Sequence, residues 1–134
     1  MHPIFENKGL LIDGVLHLSP NEAYQASLKG AIILDVRESY ECFYKICKVE
    51  KVHYLAKSEK LENFLKIERI EAVIVADSVG LHSKEIVKYL LENNFENLAS
   101  LNGGIMDWER DGLPLHIDVK NTISGSCPCQ LHIG

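Results

Sequence analysis

The chain has 134 residues, of which 46% are hydrophobic and 25% charged, so length and composition predict one globular domain with one buried core. Its formal net charge of −5 argues against nucleic-acid binding, because a nucleic-acid surface needs a basic face to displace counterions. The first residues lack the pattern of a signal peptide, and no apolar run reaches the ~20 residues of a membrane span. We therefore expect a cytoplasmic protein without membrane or nucleic-acid contacts.

The first part of the chain predicts one capped helix and one buried strand. Residues 1–14 show no clear periodicity and are interpreted as an N-terminal arm. Ser19 and Glu22 have the spacing of a capping box, which predicts a helix that begins at Pro20. The continuous apolar run 31–34 is typical of a strand that is covered on both faces.

The middle of the chain predicts two helices and a short strand. Residues 38–47 are expected to form a helix, because apolar side chains recur at helical spacing in Tyr40, Phe43, Tyr44 and Cys47. Residues 52–55 predict a strand, and Ser58 is expected to cap a helix that includes Phe64. Cys47 is then a core residue.

Strands and helices continue to alternate in the second half. The apolar run 72–76 predicts a covered strand, which a loop beginning at Asp77 follows. A helix is expected at 83–93, a strand at 98–101 and a last helix around Trp108. This order predicts an α/β fold with a doubly wound, mainly parallel sheet of about five strands and helices on both faces. Ligands of such sheets bind at the carboxyl ends of the strands, where Asp77 lies.

Three passages, taken in this order, resemble the rhodanese family. They are Leu34-Asp-Val-Arg-Glu-Ser-Tyr-Glu41, Val73-Ile-Val-Ala-Asp-Ser-Val-Gly-Leu-His-Ser83, and Leu101-Asn-Gly-Gly-Ile-Met-Asp-Trp108 followed by Gly112-Leu-Pro114. The resemblance implies a rhodanese-like domain over residues 15–117 and a C-terminal tail at 118–134. The family alone does not fix the function.

The resemblance also implies an active-site loop formed by Asp77, Ser78, Val79, Gly80, Leu81 and His82. Active relatives carry a cysteine at the position of Asp77, and its thiolate takes up sulfur as a persulfide. A carboxylate can accept the same loop N–H groups but cannot form a persulfide. Arginines that hold the anionic sulfur donor in relatives are replaced here by Ser78, Leu81 and His82. We therefore expect a pseudoenzyme, in which Asp77 either caps the loop or belongs to a retained binding site.

By the same resemblance, six residues are expected to be structural: Asp35, Arg37, Glu41, Gly103, Gly104 and Trp108. Arg37 has the spacing to pair with Glu41 along one helical turn. Gly103 and Gly104 permit a tight turn, and Trp108 suits packing in a core or interface.

The tail contains the motif Cys127-Pro-Cys129, for which three roles stay open. The first is an inert terminus. The second is a metal site, which needs further ligands such as His132 or His116 because two thiolates do not complete a tetrahedral shell. The third is thiol chemistry, in which the tail supplies the thiol that the Asp77 loop lacks.

These patterns favour a binding or regulatory module without ordinary thiosulfate sulfurtransferase activity. Its expected partner is a protein or small anion at the Asp77 loop, and no cofactor is expected. One alternative is a rhodanese-type sulfurtransferase that carries sulfur on Cys127 or Cys129. The other is a small metal-binding or thiol-redox protein that uses the same two cysteines.

Overall fold

The computed structural model describes residues 3–38, 45–55, 63–64 and 70–117. The described strands are β1 (Leu10–Ile12), β2 (Val15–Leu18), β3 (Ile32–Asp35), β4 (Lys45–Cys47), β5 (Val52–Tyr54), β6 (Val73–Ala76), β7 (Leu98–Leu101) and β8 (Leu115–Ile117). The described helices are α1 (Pro20–Leu28), α2 (Ser83–Glu92), α3 (Gly104–Arg110) and a 3₁₀ turn at Pro3–Phe5.

A six-stranded sheet forms the centre of the domain, in the order β1-β2-β7-β6-β3-β5. The five strands from β2 to β5 in that order pair in parallel, and β1 joins the edge as an antiparallel partner of β2. A second, two-stranded sheet pairs β4 with β8 in antiparallel orientation. The predicted α/β fold with a mainly parallel sheet is therefore confirmed.

Helices cover both faces of the central sheet, because each face presents a continuous apolar surface. On one face α1 and α3 pack over β-strand residues such as Ile33 and Ile74, and on the other α2 packs over Leu34 and Val75. Trp108 of α3 is fully buried, where it meets the ring of Tyr24 edge-on at a centroid distance of 5.9 Å.

The capping box at the start of α1 is confirmed. The N–H of Glu22 donates to Ser19 Oγ, and the carboxylate of Glu22 accepts from the N–H groups of Ser19 and Gly9. Partial burial opposes ionisation of Glu22, but these hydrogen bonds and the charge of Lys8 together lower the pKa of its carboxyl group.

The predicted helix at 38–47 is wrong at its C-terminal end, because Lys45–Cys47 form β4. The partner of β4 is β8, about 70 residues later in the chain, and a local apolar spacing carries no information on such a distant pairing. The prediction that Cys47 is a core residue is confirmed. Tyr40, Phe43, Tyr44 and Ser58 lie outside the described residues.

Part of the segment interpreted as an arm contributes to the domain. Phe5 is buried in the core, and Leu10–Ile12 form the outermost strand of the described sheet. Among the described residues, none of the helices combines the length and the apolar character that crossing a membrane requires.

Candidate functional site

The loop that begins at Asp77 lies between β6 and α2, and the N-terminus of α3 holds it from the side. The N–H groups of Ile105 and Met106 donate to the carbonyl oxygens of Asp77 and Ser78, at 2.8 and 3.0 Å. The first N–H groups of a helix have no acceptor within the helix itself. The loop carbonyls therefore supply acceptors to α3, and the backbone of the loop is fixed in return.

The side chain of Asp77 is directed into this loop and is only 3% exposed. Its Oδ1 accepts the N–H of Gly80 at 2.6 Å, and its Oδ2 accepts the N–H of His82 at 2.7 Å. Both bonds are short and charge-assisted, and the start of α2 is a favourable place for a negative charge. The carboxylate of Asp77 thus fills the position in which loop N–H groups stabilise an anion.

Two glycines allow the loop and the start of α3 to approach each other closely. Gly104 has φ +65°, and a Cβ there would stand 2.5 Å from the carbonyl oxygen of Asp77. Gly80 has φ +90°, and a Cβ there would stand 2.9 Å from the backbone nitrogen of Gly103. Side chains at these positions would meet both a backbone clash and an unfavourable φ.

The outer side of the loop is apolar. Val79 and Leu81 of the loop and Met106 of α3 are all exposed, the last two by more than half. We call these three residues the apolar rim. His82 is exposed at the start of α2 and makes no side-chain cap hydrogen bond to that helix.

A buried ion pair stands beside the loop. Asp35 is paired with Ala76, the residue before Asp77, across β3 and β6. The guanidinium of Arg37 binds the Asp35 carboxylate in a bidentate manner, with Nη2 at 2.7 Å and Nε at 3.0 Å, and Nη2 also donates to the carbonyl oxygen of Lys45. These contacts join the end of β3 to β4. Glu41, the predicted partner of Arg37, lies outside the described residues.

Cys47 lies near this ion pair but is unsuited to reaction. Burial, reinforced by the negative charge of Asp35 and partly offset by Arg37, raises the pKa of its thiol to about 12. Since the thiolate is the nucleophilic form, a buried thiol with this pKa is inert at neutral pH.

The sequence did not predict a role for some other residues near the loop. Ser83 and Ser100 are fully buried and share a 2.6 Å hydrogen bond that joins the start of α2 to β7. Met106 belongs to a passage that resembles the family, yet only the contact between α3 and the loop makes it part of the rim. A cavity of about 480 Å³ lies elsewhere, against β1, β2 and α2, and none of its lining residues belongs to the 77–82 loop.

The tail residues Cys127, Cys129 and His132, for which metal binding stays open, lie outside the described residues. Within the part of the chain that the structure describes, no cluster of three or more His, Cys, Asp or Glu side chains could hold a metal ion.

The fold and the loop between β6 and α2 define a rhodanese-like domain. The sequence matches the Rhodanese-like domain family over residues 19–111, and the chain belongs to this family. A relative named thiosulfate sulfurtransferase GlpE, from Actinobacillus pleuropneumoniae serotype 7, is 30% identical over 100 residues, which cover 73% of this chain and 90% of the relative. A protein of the same name from Vibrio cholerae is 26% identical over 106 residues, with 78% and 97% coverage.

Solved structures are similar in the same way. A rhodanese-related protein from Thermoplasma volcanium superposes with a TM-score of 0.67 at 24% identity, and the match covers 76% of this chain and 98% of that one. The polysulfide-sulfur transferase homodimer from Wolinella succinogenes gives a TM-score of 0.62 at 24% identity, with 75% and 77% coverage. At these identities the similarity shows the fold alone.

Proposed function

We propose that this rhodanese-like domain does not transfer sulfur through its loop and acts as a binding module for another protein. The observation that carries the proposal is the double acceptance of loop N–H groups by the buried carboxylate of Asp77. A persulfide requires a thiolate, which a carboxylate cannot replace. The similarity to sulfurtransferases makes sulfur transfer the activity that must be tested first.

The same geometry disfavours a small anion as the bound partner. An anion such as thiosulfate needs free N–H donors or positive charge, whereas Asp77 already uses the N–H groups of Gly80 and His82 and adds a negative charge of its own. Like charges in a partly desolvated site repel each other.

A protein partner suits the loop better, because the exposed outer side of the loop is apolar. Val79, Leu81 and Met106 are exposed apolar side chains on two segments that backbone hydrogen bonds hold together. A rigid apolar surface binds a protein without a large ordering cost. We therefore propose that the rim is the contact surface of the module.

The direct test is sulfur transfer from thiosulfate to cyanide by the reduced protein. We expect no activity in the wild type. The Asp77→Cys variant tests whether the rest of the site still supports sulfur transfer. A gain of activity in this variant would mean that the side chain of residue 77 alone accounts for the missing activity. Wild-type activity that survives Cys127→Ser/Cys129→Ser would refute the proposal.

The contact surface has its own test. A partner retained from a cell extract by the wild type should be lost with Leu81→Asp/Met106→Asp. Ile70→Asp is the matched control, because Ile70 is also an exposed apolar residue but lies outside the rim. Equal retention by both variants would exclude the rim as the binding surface.

One observation favours sulfur transfer by the tail as a second candidate function. Ile117, the last residue of β8, pairs with Lys45 of β4. The carbonyl oxygen of Lys45 accepts a hydrogen bond from Arg37, and Arg37 also binds the carboxylate of Asp35 beside the loop. Each step in this series is one strand spacing or one side chain, so the described chain ends within roughly 20 Å of the loop.

The length of the tail is sufficient to cover this separation. Cys127 lies ten residues beyond Ile117, and ten extended residues span up to about 33 Å. In this candidate function, the thiolate of Cys127 or Cys129 attacks the sulfane sulfur of thiosulfate, the S–S bond breaks and sulfite leaves. An acceptor thiolate or cyanide then removes the sulfur and restores the cysteine thiolate.

This second candidate predicts a mass increase of one sulfur atom on the tail peptide after exposure to thiosulfate. The increase should vanish in Cys127→Ser or in Cys129→Ser, whichever removes the carrier. Activity that is present in the wild type and absent in the double serine variant would establish the tail as the carrier of sulfur. An unmodified tail peptide together with an inactive wild type would instead favour the binding module.

A further inference from the structure

The edge strand β1 is unusually apolar for its exposure. It consists of Leu10, Leu11 and Ile12, which are 69%, 67% and 53% exposed. Within the described residues, β1 pairs only with β2 and forms the edge of the sheet. Natural edge strands are commonly protected by charge, proline, a bulge or a short length, because an open apolar edge is a template for pairing with another strand. The three residues of β1 offer neither charge nor proline.

The hairpin shows which backbone groups face the open edge. Asp13 and Gly14 have φ +52° and +80°, and Ile12 pairs with Val15, as in a two-residue turn with both central residues left-handed. The residues that flank such a turn exchange hydrogen bonds, and antiparallel pairs then alternate. Ile12 thus directs its N–H and carbonyl toward β2, whereas Leu11 directs both toward the open edge.

We propose that two copies of the chain associate through β1, in an antiparallel pair with Leu11 on the two-fold axis. The outward N–H and carbonyl of each Leu11 then bond to those of the other copy. In this register Leu10 of one copy lies opposite Ile12 of the second, so apolar side chains meet on both faces of the joined sheet. Such a contact is self-complementary, as a two-fold interface requires.

The absence of charge on the edge also fits a second copy. In a two-fold pair each residue on the axis meets its own copy, so a charged residue there would repel itself, whereas Leu10, Leu11 and Ile12 carry no charge. Asp13 lies in the turn beyond the last residue of β1, and the antiparallel order puts the two Asp13 residues at opposite ends of the pair.

The interface is small, which predicts how tightly it binds. A pair of three-residue strands buries much less than the roughly 1,000 Å² expected of a stable interface. We therefore expect a reversible equilibrium between monomer and dimer. This inference goes beyond the proposed function, because the interface contains no residue of the 77–82 loop.

Sedimentation measures the equilibrium directly. From about 5 μM to about 500 μM, a range that covers weak association, the average mass of the wild type should rise from monomer toward dimer. Leu11→Lys should remain monomeric, because two ammonium groups would meet on the axis. Leu28→Lys is the matched control, since Leu28 is 61% exposed on α1, and it should associate like the wild type. A wild type that stays monomeric, or a dimer that survives Leu11→Lys, overturns the proposal.

A second variant tests the register without disturbing the charge of the edge. In the Cys127→Ser/Cys129→Ser background, Leu11→Cys should form a covalent dimer on oxidation, because a hydrogen-bonded pair brings Cα atoms to about 5.5 Å, within the range of a disulfide. Leu10→Cys should not, because the two Leu10 positions are then about 8–9 Å apart. The parent without a β1 cysteine should stay uncrosslinked, and equal crosslinking at both positions would refute the register.

Discussion

The loop should depend strongly on Asp77 for its stability. Asp77→Ala removes a buried carboxylate that accepts two N–H groups, from Gly80 and His82, at 2.6 and 2.7 Å. Hydrogen bonds to a charged group contribute about 1.5–3 kcal/mol each. Gly80 is half-buried and His82 exposed, so water satisfies part of what is lost. We therefore expect the free energy of unfolding to fall by about 2–4 kcal/mol.

Urea unfolding can measure this change, with the fluorescence of Trp108 as the probe, because Trp108 is the single tryptophan and is fully buried. Asp77→Asn keeps one acceptor, so its free energy of unfolding should lie between those of the wild type and Asp77→Ala. Glu96→Gln is the control: it removes a negative charge from an exposed residue and should leave the free energy of unfolding unchanged. A loss in Asp77→Ala within about 0.5 kcal/mol of zero, the range of ordinary surface substitutions, would refute the role assigned to the carboxylate.

Three further predictions follow from described contacts. Gly104→Ala should lower the free energy of unfolding by about 2–4 kcal/mol, because the methyl group meets the backbone of the loop at a positive φ; an unchanged thermal midpoint would contradict this. Glu22→Gln should destabilise the protein at neutral pH. Because folding lowers the pKa of the Glu22 carboxyl group from 4.5, its contribution is present above that value and is lost as the pH falls through the folded-state pKa, so unfolding curves of variant and wild type should converge in acid. Cys47 should resist alkylation in the native protein and react after unfolding, as mass spectrometry of its peptide can establish; rapid native labelling would contradict its burial.

Four of the six strands of the central sheet were predicted from the sequence. For β3 and β6 the reason is clear, because the continuous apolar runs 31–34 and 72–76 are typical of strands that are covered on both faces. The capping box could also be predicted, because the residues that form it, Ser19 and Glu22, are only three positions apart in the sequence. The small sheet was not predicted: β4 and β8 are short, and each is stabilised by the other across a long separation in sequence. β1 and β2 were both missed, because strands of three and four residues are too short to show a clear strand pattern in the sequence.

The position of the loop at the end of β6 was predicted in outline. The position of Asp77 at the carboxyl end of a strand followed from the order of elements, and the ability of a carboxylate to accept loop N–H groups followed from its chemistry. The sequence did not indicate which N–H groups these are, nor that α3 binds the loop carbonyls, because both depend on backbone conformation set by Gly80 and Gly104. The pairing of Arg37 with Asp35, two residues away, was missed because a helical spacing toward Glu41 was assumed.

The attachment of α3 to the loop has a consequence for local motion. The amide hydrogens of Ile105 and Met106 are held by loop carbonyls, and those of Gly80 and His82 by Asp77. All four hydrogen bonds end on Asp77 or Ser78, so a displacement of the loop backbone away from α3 breaks the bonds of Ile105 and Met106 and also moves the acceptor of Gly80 and His82. We therefore expect these four amides to exchange more slowly than the amides of an ordinary surface loop. Their opening free energies should be similar, which would identify the loop and α3 as one cooperative unit of the domain.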